Sequence, residues 1–107
     1  FHNAVQRANA YRQAGADCLF VPCVDDAETI GKLVKALEGP INVLVRPKTP
    51  SIAELEKLGV ARASFGSWPM RAAMTAFDRF VRELREHGTH KSLEPGIPYA
   101  DMNKLVE

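Results

Sequence analysis

Three short apolar runs, each followed at once by an amphipathic helix with its own start and stop signals, restrict the possible folds of this chain more than any other feature. The runs are DCLFV (17–21), PINVLV (40–45) and ARASFG (61–66), and their strand starts at Asp17, Ile41 and Ala61 are 24 and 20 residues apart. Runs this short, bounded by Gly15, Pro22 and Gly39, fit strands buried on both faces. With one helix between each pair, the strands must run parallel through right-handed crossovers.

The helices are written as clearly as the strands. Phe1 to Ala14 carries Val5, Ala8 and Tyr11 at helical spacing and is closed by Gly15. DDAETIGKLVKALEG offers Asp25 as N-cap with Glu28 three residues on, an apolar stripe of Ile30, Leu33, Val34 and Leu37, and Gly39 as its end. SIAELEKLG offers a capping box, Ser51 with Glu54, with Leu55 and Leu58 facing the core and Gly59 as its stop. Ser67 is expected to cap a long helix with Pro69 in its first turn and Met70, Ala73, Met74, Phe77, Phe80, Val81 and Leu84 as its stripe. Gly88 ends it, and a polar tail leads to a short helix from Tyr99 to Val106.

Three parallel strands leave both sheet edges open and bury few side chains. The chain also begins with Phe1 inside a helical pattern. It therefore reads as one partial domain, with βα units over 1–88 and a tail over 89–107. Two architectures absorb such a piece: a (β/α)8 TIM barrel of about 250 residues, or half of a doubly wound sheet.

Composition narrows the function classes. At 46% hydrophobic and 25% charged the chain is globular rather than disordered. The 14 Lys and Arg nearly balance the 13 Asp and Glu and are scattered, which argues against a nucleic-acid partner. No apolar run approaches the roughly 20 residues of a bilayer span, and the first residues lack a signal-peptide pattern, so no membrane partner and a cytoplasmic setting are expected. Cys18 and Cys23 flank one strand and are read as reduced thiols.

RANAYRQAGADCLFVP, PINVL, LEKLGVARASFGSWPMRAAM and LREHGT, in this order and at these intervals, resemble the C-terminal part of the isocitrate lyase/phosphoenolpyruvate mutase superfamily, above all its phosphonomutase-like and oxaloacetate-decarboxylase-like members. The most specific pieces are Ala14-Gly15-Ala16-Asp17 with Phe20-Val21-Pro22, and Gly59-Val60-Ala61-Arg62 with Gly66-Ser67. The resemblance implies strands six to eight of a TIM barrel, and an Mg²⁺-dependent enzyme making or breaking a C–C or P–C bond in a small α-keto acid or enol carboxylate. It places the metal ligands and catalytic groups upstream, so no catalytic and no metal-binding residue is assigned within the chain. It also implies a homo-oligomer formed through the helix from Ser67 to His87.

In a barrel, chemistry gathers at the C-terminal ends of the strands. Alternation turns Leu19, Ile41 and Val43 toward the helices and Phe20, Asn42, Arg62, Ser64 and Gly66 inward. Asn42 is a candidate substrate contact, since related lyases place an asparagine here near the substrate carboxylate; the alternative is that it bonds to neighbouring strands. Gly66 and Ser67 offer close backbone approach, with the free amides of Ser67 and Trp68 at a helix start; the alternative is an ordinary cap. Arg46, with Lys48, follows the second strand and suits a carboxylate or phosphate; the alternative is a solvated loop. These two cations depart from the small residues of phosphonomutase-like relatives, as Cys23 departs from their glycine. Arg62, at a strand start, is expected to be buried in a structural ion pair. His2, His87 and His90 lack metal-ligand spacing.

The expected function is therefore part of a lyase or phosphonomutase-like enzyme taking a small anionic keto-acid substrate. The 107 residues alone are expected to be inactive. Two other readings stay open: a metal-independent βα-barrel aldolase or synthase with a phosphate site, and a non-catalytic assembly module derived from such a barrel.

Overall fold

The computed structural model describes residues 1–94 and 96–105. Its elements are α1 (His2–Gln13), β1 (Leu19–Phe20), α2 (Ala27–Ala36), β2 (Ile41–Leu44), α3 (Ile52–Leu58), β3 (Arg62–Ser64), α4 (Trp68–His87), a 3-10 turn (Lys91–Leu93) and α5 (Tyr99–Lys104). The strands form one parallel sheet in the order β1-β2-β3. The expected end of the last helix at Val106 lies outside the described residues.

Each strand is shorter than its apolar run, although single ladder bonds continue past the strand limits. Leu19 N–H donates to Pro40 C=O at 2.8 Å, Ala61 N–H to Ile41 C=O at 3.1 Å, and Val45 N–H to Ser64 C=O at 2.7 Å. Pro22 and Pro40 have no N–H to extend the ladder.

Local chemistry explains the helix ends. Ser51 Oγ accepts from Glu54 N–H while the Glu54 carboxylate accepts from Ser51 N–H, so the capping box written in the sequence forms in full. At α2 the cap is Asp26 rather than Asp25: Asp26 holds an extended backbone, φ −100° and ψ 142°, and its Oδ1 accepts from Thr29 N–H at 2.8 Å. α2 also ends at Ala36 instead of running on toward Gly39, because Leu37 turns extended and drops into the core. Asn9 of α1 fastens that end, donating to Ala36 C=O at 3.1 Å and accepting from Glu38 N–H at 3.0 Å.

The core lies on one face of the sheet. Leu19, Ile41 and Val43 meet Ile30 and Leu33 of α2, Leu55 of α3 and Ala8 of α1, with Ile30 and Leu55 fully enclosed. The strand alternation expected from the sequence thus holds for Leu19, Ile41 and Val43; in the third run, where Ala61, Ala63 and Phe65 are also expected to face the helices, Ala61 and Phe65 are exposed. On the opposite face Phe20 is 48% exposed, and Arg62 is exposed and makes no ion pair among the described residues. The expectation that Arg62 is buried and paired is therefore corrected: Arg62 opens β3, an edge strand of the sheet, and is exposed without an ion pair among the described residues.

The chain divides into two compact units, Phe1–Trp68 and Pro69–Glu107. In the second, Glu83 of α4 organises the following turn: its carboxylate accepts from Ser92 N–H at 2.8 Å, from Thr89 Oγ at 2.6 Å and from Lys91 N–H at 2.8 Å. Donors from Ser92 first, then Thr89 and Lys91, hold its pKa down to about 2. A depressed carboxylate stabilises the fold above its unfolded pKa, and the contribution disappears as pH falls through the folded value. The turn is therefore expected to be intact at neutral pH and to loosen between about pH 4.5 and about pH 2. Amide exchange at Lys91 and Ser92 should lose protection across that window, and Glu83→Ala should lose it already at pH 7. Protection that survives in the alanine variant would contradict this latch.

Candidate functional site

The C-terminal ends of β1, β2 and β3 gather the polar residues that the sequence singles out, together with one that it assigns to a different task. Arg46 lies two residues past β2, where its N–H donates to Thr49 Oγ1 at 2.9 Å and its C=O accepts from Thr49 N–H at 2.9 Å. Its guanidinium reaches back to the loop after β1, with Nη2 2.8 Å from Asp25 Oδ2. Neither side chain is freely solvated, at 30% exposure for Arg46 and 32% for Asp25. Arg46 Nε is shielded from solvent and has no hydrogen-bond partner among the described residues.

Gly66 occupies the corresponding place past β3. Its φ is 53°, and a Cβ there would stand 3.3 Å from Leu44 Cδ1, so a side chain would be strained in backbone and tight against β2. Ser67 follows, exposed. The Trp68 amide is not free for a ligand as expected, since it donates to Phe65 C=O at 3.1 Å and closes the turn. Lys48 is exposed.

Asn42 stands apart from this group, four residues before Arg46 and second of the four residues of β2. By register it lies between Phe20 and Arg62, and it is 5% exposed. Its Nδ2 donates to Ser64 Oγ at 3.0 Å, and Ser64 Oγ in turn leans on Val43 C=O at 3.4 Å. Oδ1 is buried without a partner among the described residues. The carboxamide thus keeps an acceptor, Oδ1, and the second N–H of Nδ2 as a donor.

Cys23 opens the loop after β1 with φ 63°, a left-handed conformation that costs a side chain roughly 1 kcal/mol and that glycine adopts freely. Asp25 is the residue that sequence reasoning misassigned. Two adjacent aspartates compete for one cap; the one that loses is free to pair with a cation 21 positions away.

A groove lies elsewhere, along α1 and β1. It is lined by Ala4, Arg7, Ala8, Tyr11, Cys18 and Phe20, among others, and marks the sheet edge that carries no further strand among the described residues. Among those residues no group of three or more His, Cys, Asp or Glu could hold a metal ion. Among the described residues no helix is long and apolar enough to cross a membrane.

The family model for phosphoenolpyruvate phosphomutase matches residues 1–85. An uncharacterized protein of Mycobacterium tuberculosis (strain ATCC 25618 / H37Rv) is 36% identical over 98% of the chain and 40% of its own length. The 2-methylisocitrate lyase of Aeropyrum pernix is 30% identical over 87% of the chain and 32% of its own length. The phosphoenolpyruvate phosphomutase of Streptomyces hygroscopicus is 34% identical over 77% of the chain and 28% of its own length. Among solved structures, a candidate lyase/mutase from Burkholderia cenocepacia J2315 superposes with a TM-score of 0.89 at 36% identity, covering 98% of this chain and 39% of that one. The chain spans about 40% or less of the length of these relatives.

Proposed function

The chain belongs to the phosphoenolpyruvate phosphomutase family, and from that premise we propose that the whole protein is a lyase or phosphonomutase-like enzyme making or breaking a C–C or P–C bond in a small α-keto acid or enol carboxylate. The observation that carries this reading is the coincidence of the family match with an anion-suited set at the strand ends: Arg46, Gly66 and Ser67. The Arg46 guanidinium would hold anionic oxygens. Gly66, lacking a side chain, admits a ligand close to the backbone, and the Ser67 hydroxyl can donate to it. Asn42 would join them through its Oδ1 or through the second N–H of its Nδ2.

In this reading the three strands are the last three staves of a TIM barrel, which gives the open outer edge of β1 a preceding strand to pair with. Magnesium, when bound, supplies charge stabilisation to oxygens that gain negative charge as the bond breaks. The described residues offer it no ligand cluster, and the Asp25 carboxylate is held by Arg46, so its ligands are assigned outside these 107 residues.

The test is turnover by the full-length protein of oxaloacetate, 2-methylisocitrate and phosphonopyruvate, before and after chelation. At least one should react, with activity lost to chelator and restored by Mg²⁺. Activity that survives chelation would instead favour a metal-independent aldolase, and no turnover of any of them would overturn the proposal.

Assembly is part of the same reading. Along α4, Met70, Met74, Phe77, Val81 and Leu84 are 43–58% exposed, and the Phe77 and Phe80 rings are 6.4 Å apart. A second copy of the chain would cover this stripe, placing a homo-oligomer contact on α4. Phe77→Glu is expected to shift the full-length protein toward monomer in sedimentation without unfolding it. A wild type that sediments as a stable monomer would contradict the contact.

A further inference from the structure

We propose that Asp25 is a positioning residue for Arg46, and that the pair makes the strand-end site selective for substrates with a second anionic group. This rests on the strand ends being the substrate mouth.

Among the described residues the Asp25 carboxylate accepts one side-chain hydrogen bond, from Arg46. Asp26 caps α2, and Asp25 is turned across to the neighbouring loop, its Oδ2 2.8 Å from Arg46 Nη2. Arg46 is held at both ends, its backbone by the reciprocal turn with Thr49 and its head by Asp25. A long side chain that is already ordered loses little freedom when it meets a ligand.

The fork also keeps unused donors. Of its five N–H groups, one is committed to Asp25. Nε is shielded from solvent and has no partner among the described residues, so it is not the donor that an arriving ligand would meet. Nη1 and Nη2 form the end of the fork, through which guanidinium also binds a carboxylate or phosphonate with two parallel bonds. Asp25 thus fixes one corner of the fork and leaves an edge for the ligand. Because the pair is partly withdrawn from solvent, bulk salt screens it less than a surface pair.

Malate and lactate provide matched probes, since they differ by one carboxylate on otherwise similar 2-hydroxy acids. Titrated calorimetrically into the full-length protein, malate is expected to bind about tenfold or more tightly than lactate. Arg46→Gln and Asp25→Asn should each narrow that ratio to within about threefold by weakening malate more than lactate. The exchange Asp25→Arg with Arg46→Asp should recover thermal stability but not the preference, because the fork then stands on the wrong loop. Should the exchange fail to fold, Arg46→Lys gives the second reading: charge kept, fork lost, preference reduced at unchanged melting temperature. An Asp25→Asn variant with the full preference, or an exchange that restores it, would overturn the inference. Wild type binding both acids equally overturns the inference alone; wild type binding neither overturns it together with the substrate-mouth reading.

Discussion

Leu55→Ala is expected to lower the stability of the full-length protein by about 3 kcal/mol, the middle of the range for emptying an enclosed leucine site. Leu55 is the buried residue of α3, 2% exposed, and it packs into the same cluster as Ile30 and Leu33 of α2 and Ile41 and Val43 of β2. Its loss leaves a cavity where α3 meets the sheet, and the surrounding helices are tied too firmly to close it. The Leu55 carbonyl also receives Val60 N–H at 3.0 Å, so the residue that fills the core is the one from which the chain turns into β3. Leu55→Met keeps the volume and should cost less than about 1.5 kcal/mol. Denaturant unfolding of the two variants checks this, and equal losses would mean that Leu55 is not the anchor of α3.

Gly59→Val is the second large expectation, again a loss of about 3 kcal/mol, for a different reason. Gly59 closes α3 at φ 89°, its N–H directed to Glu56 and Leu55 carbonyls, in a backbone conformation that a β-branched residue resists. A Cβ at this position would also stand 3.0 Å from Val34 Cγ1 of α2, so valine must both strain its own backbone and push two helices apart. Gly59→Asn separates the terms, because asparagine tolerates the left-handed conformation while still carrying the Cβ. It should lose about 1 kcal/mol, the steric part alone. Valine no worse than asparagine would show that the backbone conformation costs little.

These residues were legible in the sequence because their signals are local. A capping box needs only Ser51 and Glu54, a helix stop needs only Gly59, and the βα rhythm is the spacing of apolar runs. What was not legible depends on residues brought together by the fold. Nothing within a few positions of Asp25 distinguishes it from Asp26; the choice is made by which of them reaches Arg46, 21 residues on. Asn9 stapling the end of α2 and Glu83 gathering the turn at Thr89 to Ser92 are likewise contacts at a distance. The Trp68 amide, counted as free from its place at a helix start, is consumed by the preceding turn. Asn42 was recognisable as a polar residue in an apolar run, but that part of its carboxamide is spent on Ser64 of the next strand is decided by the fold.

The most direct test of the central claim is a crystal structure of the full-length protein with a dicarboxylate substrate analogue bound. It should find β1, β2 and β3 as adjacent parallel staves of a closed ring, with anionic oxygens of the ligand about 3 Å from the Arg46 guanidinium and lying over Gly66. A ligand seated at the opposite ends of these strands, or a sheet that stays open, would contradict it.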